Sequence, residues 1–223
     1  MLDNTRIVIT GAAGTLGQAT AGLAAARGAH VIGLDVVAAD GVPNVAEYHR
    51  VDLLDGGQTT SCIHGIGPFD ALVNIAGGFQ WETLADGDVG TWDQLYAMNL
   101  RTAVVSCMAA LPAMREQGRG RIVNISAAAA AERADSGMGA YTASKAGVLK
   151  LTESLARELK DEGITVNAIL PGIIDTPRNR ADMPDADFDR WVSPAAIANV
   201  IEFLVSDAAS AVTGAAIPVV GRG

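Results

Sequence analysis

The stretch that decides the fold is RIVITGAAGTLG, residues 6–17, in which a short apolar run leads into three closely spaced glycines. RIVIT has the length and composition of a buried strand, and the alanine-rich pattern that follows predicts a helix ending at Gly28. Gly11 permits a tight turn, and the exposed N–H groups and dipole at the start of the helix favour negative charge. The stretch therefore predicts a strand–turn–helix unit whose turn binds an anion.

Working outward, short apolar runs continue to alternate with longer helical patterns. The strand runs are apolar at nearly every position, which is typical of parallel strands buried on both faces. A length of 223 residues suits one domain, 1–223, so we expect a single α/β fold with a doubly wound sheet of about seven strands and helices on both faces. Further strands are predicted at HVIGLD, DALVNIAG, RIVNIS, ITVNAIL and AAIPVV, and further helices at 92–118, 140–163 and about Pro194 to Val205.

Two stretches interrupt this alternation. The alanine run from Ala127 to Ala131 follows a predicted strand and is expected to be a closely packed loop. The polar, proline-containing stretch DTPRNRADMPDADFDRW, 175–191, is expected to be irregular. Because ligands bind outside the carboxyl ends of the strands in such a sheet, the segment from about 175 to 192 is interpreted either as a cover over the site or as an ordinary surface loop.

Composition and charge exclude several classes of function. The net charge of −9 and the lack of a basic run argue against nucleic acid as a partner. Cys62 and Cys107 are expected to be reduced thiols, and the spacing of His30, His49 and His64 does not fit a metal site. No uninterrupted apolar run reaches about 18 residues and no leader pattern precedes the first strand, so we expect a cytoplasmic protein with no membrane partner.

An acidic residue favours one nucleotide over another. The second predicted strand ends at Asp35, eighteen residues beyond Gly17. There a carboxylate can accept hydrogen bonds from both ribose hydroxyls of an adenosine whose pyrophosphate lies at the glycine turn. A 2′-phosphate would meet like charge, and no arginine immediately follows Asp35. The sequence therefore predicts NAD(H) in preference to NADP(H); a loop cap is the alternative role for this carboxylate.

Tyr141 and Lys145 lie four residues apart in a helical pattern, so their side chains project from one face about 6 Å apart. A phenol with its ordinary pKa near 10 is a poor acid or base at neutral pH, and a nearby ammonium can stabilise the phenolate. The spacing suits general acid–base chemistry. The same spacing is also common on helix surfaces, so the pair gains weight only from the motifs around it.

Taken together, these motifs resemble the short-chain dehydrogenase/reductase family over essentially the whole chain. The matching stretches follow the family's order: TGAAGTLG, Asp35, VDLL at 51–54, NIAG at 74–77, MNL at 98–100, RIVNIS, YTASK and PGIIDT at 171–176. The resemblance implies a Rossmann-fold oxidoreductase in which Tyr141 is the general acid/base, Lys145 lowers its pKa and holds the nicotinamide ribose, and Asn99 anchors a water in a proton relay.

The resemblance also implies a cofactor cleft. Asp52 and Leu53 would flank the adenine, while Asn74 would line the cleft unless it is merely a strand cap. Thr15 stands where the commoner TGxxxGxG motif has a glycine, so the turn follows the TGxxGxxG spacing of the family's extended members. The implied cofactor-binding set is Gly11, Gly14, Thr15, Leu16, Gly17, Asp35, Asp52, Leu53, Asn74, Ala76, Gly77, Tyr141, Lys145, Pro171, Gly172, Ile174 and Thr176, the last two meeting the nicotinamide carboxamide.

The family's substrate-orienting serine is missing. It lies about thirteen residues before the tyrosine, where this chain has Ala127 and Ala128. Loss of one preorganised oxyanion donor typically costs roughly a hundredfold to a thousandfold in rate, so a substitute such as Ser126 or Ser136, or a substrate that needs no such donor, is expected. Dihydropteridine reductase, a family member that also lacks this serine, resembles the chain in IAGGF at 75–79 and in residues 175–191.

Three functional hypotheses follow. The first is hydride transfer between NAD(H) and a small carbonyl/alcohol or imine-like substrate, with Tyr141 passing the proton. The alternatives are an NADH-dependent reductase of the dihydropteridine type and a catalytically silent dinucleotide-binding regulator. The family resemblance also suggests a homotetramer or dimer, with the helix from about Thr91 and the helix that carries Tyr141 at an interface.

Overall fold

Seven parallel strands form one sheet in the computed structural model, which describes residues 2–38 and 42–222. The strands are β1 (Arg6–Thr10), β2 (His30–Asp35), β3 (Glu47–Arg50), β4 (Ala71–Asn74), β5 (Gly120–Ile125), β6 (Ile164–Pro171) and β7 (Ala216–Val219). The helices are α1 (Thr15–Ala26), α2 (Gly56–Ile66), α3 (Val89–Leu95), a π-helical turn (Tyr96–Arg101), α4 (Thr102–Gln117), α5 (Ala128–Ala131), α6 (Gly139–Glu158), α7 (Pro177–Asp182) and α8 (Pro194–Val205), with 3₁₀ turns at Phe188–Arg190 and Asp207–Ala209. The strand order β3-β2-β1-β4-β5-β6-β7 confirms the predicted doubly wound α/β fold.

Two apolar cores lie on opposite faces of the sheet. On one face, Ile7 and Ile9 of β1 belong to a cluster with α1 and α8, whereas Val8 belongs to the cluster with α2, α4 and α6 on the other. Successive side chains of a strand point to opposite faces, so a strand covered on both sides must be apolar at every position. This explains why the strand runs lack a polar residue at every second position.

The strand order reverses at β1, and this reversal opens the crevice that holds the candidate site. Thr10, the last residue of β1, lies in register with Leu34 of β2 on one side and Asn74 of β4 on the other. Chains leaving β1 and β4 turn toward different parts of the fold, which leaves a crevice at the carboxyl ends of the strands.

Several elements differ from the sequence prediction. β3 was not predicted because EYHR is mostly polar, and it is a short edge strand that pairs with β2 alone. The alanine run, expected to be a loop, forms the short helix α5 because alanine has high helix propensity. The segment 175–191, expected to be irregular, contains α7 and a 3₁₀ turn.

One continuous helix runs from Val89 to Gln117 through α3, the π-helical turn and α4. Its most apolar window has a mean hydropathy of 1.2, which by length and composition is enough for a membrane span, although no uninterrupted apolar run suggested one. Cys107, Ala110 and Met114 of this helix are buried in the core shared with α2 and the sheet, so its apolar character serves the core. Cys107 and Cys62 are both free thiols.

Candidate active site

Two glycines shape the turn between β1 and α1. Gly11 has a φ of +69°, and a Cβ at this position would stand 2.8 Å from the nitrogen of Ala76. A Cβ at Gly17 would collide with the carbonyl oxygen of Gly11. The turn therefore closes against both α1 and the chain leaving β4, and any larger side chain at either position would force it open.

The first turn of α1 is suited to an anion. Gly14 precedes the helix, and no side chain caps it. Its N–H groups thus lack a side-chain acceptor, which is the arrangement that a bound pyrophosphate completes. Thr15 is exposed at the first helical position, whereas Leu16 is buried in the core on that face of the sheet.

Asp35 ties the glycine turn to the end of β2. Its Oδ2 accepts a hydrogen bond from the Ala13 nitrogen at 3.0 Å, and its Oδ1 accepts from the nitrogens of Val36 and Val37 at 2.8 and 3.3 Å. The alternative role as a loop cap is therefore present in the structure. A carboxylate has about four acceptor sites, so one remains for a ribose hydroxyl.

The residues predicted to flank the adenine differ in exposure. Asp52 is exposed, and its Oδ1 accepts a hydrogen bond from the Leu54 nitrogen at 2.9 Å. Leu53 is only 5% exposed and its side chain belongs to the core cluster with Leu34. The structure thus leaves Asp52 as the member of the pair whose side chain is accessible.

Asn74 is part of a buried polar chain that joins the sheet to α6. Its Nδ2 donates to Asn124 Oδ1 at 2.8 Å, and Asn124 Nδ2 donates to Thr152 Oγ1 at 2.9 Å. Within residues 2–38 and 42–222, the buried Oδ1 of Asn74 has no hydrogen-bond partner. A buried acceptor without a partner costs free energy, so this atom at the end of β4 is an unsatisfied group of the sheet core.

The loop after β4 is fastened at both ends. The hydroxyl of Thr10 accepts hydrogen bonds from the nitrogens of Ile75 and Ala76 at 3.1 and 3.2 Å. A Cβ on Gly77 would stand 2.5 Å from Asn99 Oδ1 and 3.3 Å from Lys145 Nζ. Gly77 therefore brings the backbone of this loop against the two polar side chains predicted to be catalytic.

Asn99 lies in the π-helical turn and is 1% exposed. Its Oδ1 accepts from the Gly78 nitrogen at 2.8 Å, and its Nδ2 donates to the Gly78 oxygen at 3.1 Å and to Ser144 Oγ at 3.0 Å. Ser144 Oγ in turn donates to the Tyr141 carbonyl oxygen at 2.7 Å. The side-chain amide therefore joins the β4 loop to α6, and π-helical turns of this kind are frequent at functional sites.

Tyr141 and Lys145 lie one turn apart on α6, as predicted. Lys145 is 5% exposed, and its Nζ donates to the carbonyl oxygen of Ile125, at the end of β5, at 2.8 Å. The Tyr141 ring meets Phe79 edge to face, with 5.0 Å between the ring centroids and an interplanar angle of 81°. The pair thus occupies a cleft between β5, α6 and the loop after β4, which excludes the alternative of a surface pair.

Burial moves the pKa values of this pair in opposite directions. It raises the pKa of the Tyr141 phenol to about 12 and lowers the pKa of the Lys145 ammonium to about 8. Desolvation is the cause of the raised phenol pKa, so the lowering by the neighbouring ammonium that the family resemblance implies stays a prediction. At neutral pH both groups carry their protons, and in this environment the Tyr141 phenol is a weaker acid than an exposed one.

The structure does not bring a serine into the missing position. Ser126 is 2% exposed, and its Oγ donates to the Lys145 carbonyl oxygen at 2.8 Å, so this hydroxyl positions α6. Ala127 is buried, and Ala128 begins α5. Ser136 is exposed in the loop before α6, where its carbonyl oxygen accepts from Trp81 Nε1 at 2.9 Å.

The chain after β6 forms the far wall of the crevice. Pro171 ends the strand, and the Gly172 nitrogen donates to the Val219 oxygen at 3.2 Å. Ile174 makes an isolated bridge with Val192, and Thr176 caps α7 by accepting from the Asn179 nitrogen at 3.1 Å. The Thr176 hydroxyl therefore has a structural role beside the one implied for the cofactor.

An ion pair and an aromatic stack hold the predicted covering segment. Arg180 donates to both carboxylate oxygens of Asp175 at 2.6 and 2.8 Å, and its guanidinium lies 4.6 Å from the centroid of the Phe188 ring. This guanidinium holds the pKa of the Asp175 carboxyl below its usual value. Phe188 contacts Trp191 with 4.8 Å between the ring centroids, so the segment is a folded unit on the surface.

Sequence reasoning missed several residues that shape the site. Thr10 and Ser144 lie inside quoted motifs, so their polar side chains were a usable signal. Phe79 also lies inside a quoted motif, IAGGF at 75–79, but its contact with Tyr141 could not be inferred from it, and Trp81 gave no signal because its place depends on a contact between two distant loops. The Trp81 indole lies against Gly137, and the Glu82 nitrogen donates to the Gly137 oxygen at 2.9 Å, closing the loop after β4 onto the loop before α6.

The comparison with protein families identifies the chain. The family model for short chain dehydrogenases matches residues 5–187, so the chain belongs to this family of oxidoreductases, which use nicotinamide cofactors and small-molecule substrates. A single constellation of Tyr141, Lys145 and Asn99 in a Rossmann-type fold agrees with that membership.

Similar proteins include enzymes with different names. The chain is 35% identical to short-chain dehydrogenase/reductase cdmF of Talaromyces verruculosus, covering 98% of this chain and 96% of that protein. It is 31% identical to 2-keto-3-deoxy-L-fuconate dehydrogenase of Xanthomonas campestris, and the match covers 96% of this chain and 78% of that protein. It is 33% identical to 3-oxoacyl-[acyl-carrier-protein] reductase FabG of Thermotoga maritima, and the match covers 99% of this chain and 98% of that protein.

Solved structures give the same family. A short chain dehydrogenase/reductase family protein superposes with a TM-score of 0.91 at 31% identity, covering 99% of this chain and 97% of that one. Aldohexose dehydrogenase of Thermoplasma acidophilum, solved in ligand-free form, superposes with a TM-score of 0.90 at 26% identity, covering 99% and 94%.

Proposed function

We propose that the protein transfers hydride between NAD(H) and a small carbonyl/alcohol or imine-like substrate, with Tyr141 passing the proton. The observation that carries this proposal is the buried link from Asn99 through Ser144 to Tyr141, with Lys145 one turn further along α6. Isolated surface residues would not be joined in this way. The same link argues against a silent regulator, for which the glycine turn alone would suffice.

The chemistry divides between the cofactor and the chain. A bound nicotinamide supplies or accepts the hydride, and the protein supplies position and the proton. Tyr141 Oη holds the proton that is given to the substrate on reduction. The Lys145 ammonium has three donors, of which one bonds to the Ile125 oxygen, so two remain for the hydroxyls of a nicotinamide ribose.

Asp35 supports NAD(H) as the preferred cofactor. Its carboxylate stands at the end of β2 and touches the glycine turn, where the adenosine half of a dinucleotide lies in folds of this kind. The 2′-hydroxyl of NAD(H) can donate to this carboxylate, whereas the 2′-phosphate of NADP(H) is repelled by it.

The substrate side of the cleft is apolar. Phe79 meets the Tyr141 ring, Trp81 is held by the Ser136 carbonyl, and Ala127 and Ala128 replace the usual hydroxyl donor. We therefore propose a small, largely apolar substrate that is held by shape and needs little hydrogen bonding at its reacting atom.

The experiment for this proposal follows NADH oxidation by the purified protein with a panel of ketones, aldehydes, imines and quinonoid compounds. Tyr141→Phe is expected to lower kcat/KM by about 10²–10⁴-fold on the best substrate, because it removes the proton donor. Tyr96→Phe, which changes an exposed phenol, is the matched control, with its oligomeric state compared with that of the wild type by sedimentation velocity. Unchanged turnover by Tyr141→Phe would rule out the proposed role, and no turnover of any compound by a protein that binds NADH would support the regulator.

A second candidate is an NADH-dependent reductase of the dihydropteridine type. It is favoured by the hydrogen bond that the Ser126 hydroxyl donates to the Lys145 carbonyl oxygen, because this engages one of the two serines expected to substitute for the missing donor. Reduction of a quinonoid ring ends in a protonated nitrogen and does not require an oxyanion donor. Quinonoid dihydropterin in the panel tests it, and a lack of NADH consumption with this compound would exclude it.

We also propose that the protein is a cytoplasmic homo-oligomer, either a tetramer or a dimer. Val89, Tyr96 and Met108, on the helix from Val89 to Gln117, are large apolar residues with 73%, 53% and 67% of their surface exposed. A second copy of the chain packed along this helix would cover them. Sedimentation velocity of the wild type and a Met108→Glu variant tests this, with dissociation of the variant as the expected result.

A further inference from the structure

Two aromatic side chains of the loop after β4 are left in water close to Tyr141. Phe79, which meets the Tyr141 ring edge to face, is 48% exposed. Trp81 lies two residues further along the loop and is 59% exposed. Aromatic residues make up only 4% of the chain, and such large apolar side chains are usually covered. Their exposure here therefore indicates a surface that a ligand covers.

The indole of Trp81 is held so that one of its faces stays open. Its Nε1 donates to the Ser136 carbonyl oxygen at 2.9 Å. A Cβ at Gly137 would lie within 2.8 Å of three neighbouring atoms of the five-membered ring, so this glycine packs against one face of the indole. Because the residue is nevertheless more than half exposed, the opposite face is open for a ring to stack on.

The contacts of these two side chains lie on one short segment that leads into α6. Phe79 contacts Tyr141, and Trp81 contacts Gly137, four residues earlier in the chain. The loop after β4 and the start of α6 thus run side by side, and the open indole face continues the lining that begins at the Tyr141 ring. The neighbouring helix α5, which packs against α6, carries only alanine side chains and offers a substrate no polar group.

The two segments that form this lining are acidic. Residues 79–100 and 126–140 together contain six carboxylates and a single arginine, namely Glu82, Asp86, Asp88, Asp93, Glu132, Asp135 and Arg133. A carboxylate or phosphate on the substrate would meet net repulsion here, whereas an uncharged ring would not. The charge of these segments therefore disfavours an anionic substrate.

We propose that the substrate carries an aromatic ring without negative charge, and that this ring stacks on the open face of Trp81. The inference rests on the proposed hydride transfer and names the class of substrate for it. With the ring on Trp81, the carbonyl or imine carbon receives the hydride and its oxygen or nitrogen receives the Tyr141 proton. Trp81 then selects for a flat ring, because aromatic pairs gain more than their apolar contact area alone provides.

The test compares three ketones that share one reacting group, by steady-state kinetics with NADH. They are benzylacetone, its cyclohexyl analogue and its para-carboxylate. Benzylacetone is expected to have a kcat/KM about threefold to tenfold above that of the cyclohexyl analogue, although the cyclohexyl ring is the more apolar of the two. The para-carboxylate is expected to fall below benzylacetone by at least about threefold, because it brings a negative charge to the acidic lining.

Two variants of Trp81 isolate the ring. Trp81→Phe and Trp81→Leu both lose the hydrogen bond to Ser136, but only the first keeps an aromatic face. Trp81→Phe is expected to keep the preference for benzylacetone, whereas Trp81→Leu is expected to abolish it by raising KM, with NADH affinity within about twofold of the wild type in both. Phe203→Leu, which removes an exposed aromatic ring on α8, is the matched control and should keep the preference.

The possible results separate this inference from the proposed function. If the cyclohexyl analogue or the para-carboxylate is reduced as well as benzylacetone, or if Trp81→Leu keeps the preference, the inference is overturned and the proposed function stands. Reduction of non-aromatic carbonyl compounds but of none of these three ketones also overturns it alone. If no compound of the panel draws hydride from NADH, the proposed function fails, and this inference fails with it.

Discussion

The two ends of the crevice are built in different ways. At the adenosine end, one continuous stretch, residues 10–17, forms the turn, and Asp35 fastens it through backbone nitrogens. At the catalytic end, Asn99, Lys145 and Gly77 come from three elements far apart in the chain and meet side chain to backbone. The first end is a local backbone motif, whereas the second exists only when the surrounding elements are packed together.

The two ends of the crevice also differ in how deeply their side chains are buried. Lys145 and Asn99 are 5% and 1% exposed, whereas Asp52 and Arg50 face solvent. Electrostatic effects are strong where water is excluded and weak where it is present. We therefore expect mutations at the catalytic end to change pKa values and stability, and mutations at the adenosine end to act on backbone shape and ligand affinity.

The largest expected effect on stability concerns the buried ammonium. Burial lowers the pKa of this lysine from 10.5 to about 8, which disfavours its charged form by about 1.4 kcal/mol per pKa unit. Lys145→Met removes the charge and is therefore expected to stabilise the protein by up to about 3 kcal/mol at and below pH 8. The unfolded chain binds more protons than the folded chain between pH 8 and 10.5, so wild-type stability rises with pH across this window. Urea unfolding of both proteins from pH 7 to 10.5 measures the difference.

The expected result is a gap between variant and wild type that narrows as the pH rises. The raised pKa of Tyr141 is present in both proteins and cancels in the comparison. Lys150→Met, which alters an exposed lysine on the same helix, should show no such gap. A pH-independent difference for Lys145→Met would mean that the burial of its charge is not what limits stability.

The next largest effect is expected from a substitution that disrupts the glycine turn at the adenosine end. Gly17→Ala places a Cβ against the carbonyl oxygen of Gly11, so it is expected to lower the free energy of unfolding by about 1–3 kcal/mol and to weaken NADH binding at least about tenfold. Thermal unfolding and NADH fluorescence titration measure the two effects.

The matched control lies in the same helix. Among residues 2–38 and 42–222, a Cβ at Gly22 would meet only the side chain of Asn44, at 3.4 Å, so Gly22→Ala is expected to be neutral or to stabilise the protein by up to about 1 kcal/mol. If the two alanines behave alike, the close approach of Gly17 to the turn is not what shapes the cofactor site.

A smaller effect concerns the link between Asn99 and α6. Ser144→Ala removes the hydroxyl that accepts from Asn99 Nδ2 and donates to the Tyr141 oxygen, and it is expected to cost about 1 kcal/mol of stability and to lower kcat more than it changes KM. Steady-state kinetics and urea unfolding measure both. Ser144→Thr, which keeps the hydroxyl, should restore much of kcat; a purely structural role would leave kcat unchanged in both variants.

The smallest effect concerns the apolar wall of Phe79 and Trp81 that is proposed to contact the substrate. Gly137→Ala drives a Cβ into the Trp81 indole, so it is expected to raise KM for the substrate a few-fold while NADH affinity stays within about twofold. Gly118→Ala is the control, because Gly118 has a similar positive φ of +63° but open space around its Cβ position. Equal KM values in the two variants would show that Trp81 is not part of the wall that contacts the substrate.

Prediction from sequence succeeded where the determining interactions are local. The turn 10–17, the strand before it, the helix after it and the pair Tyr141 and Lys145 on one helix were placed correctly, because glycine spacing, apolar runs and helical periodicity are properties of short stretches. β3 was missed because an edge strand of polar residues carries little apolar signal. The site roles themselves stay predictions that the experiments above test.

The amino-acid sequence by itself determined the alternation of strands and helices that indicates the doubly wound fold, and the glycine spacing of the first turn, because each depends on neighbours a few positions away. It also predicted the residues of the site, whose roles stay predictions. Only the tertiary structure decided that the Ser126 hydroxyl bonds to the backbone of α6 and that burial raises the pKa of Tyr141 to about 12. These features depend on which distant groups meet and how far water is excluded, and both follow from the packed fold as a whole.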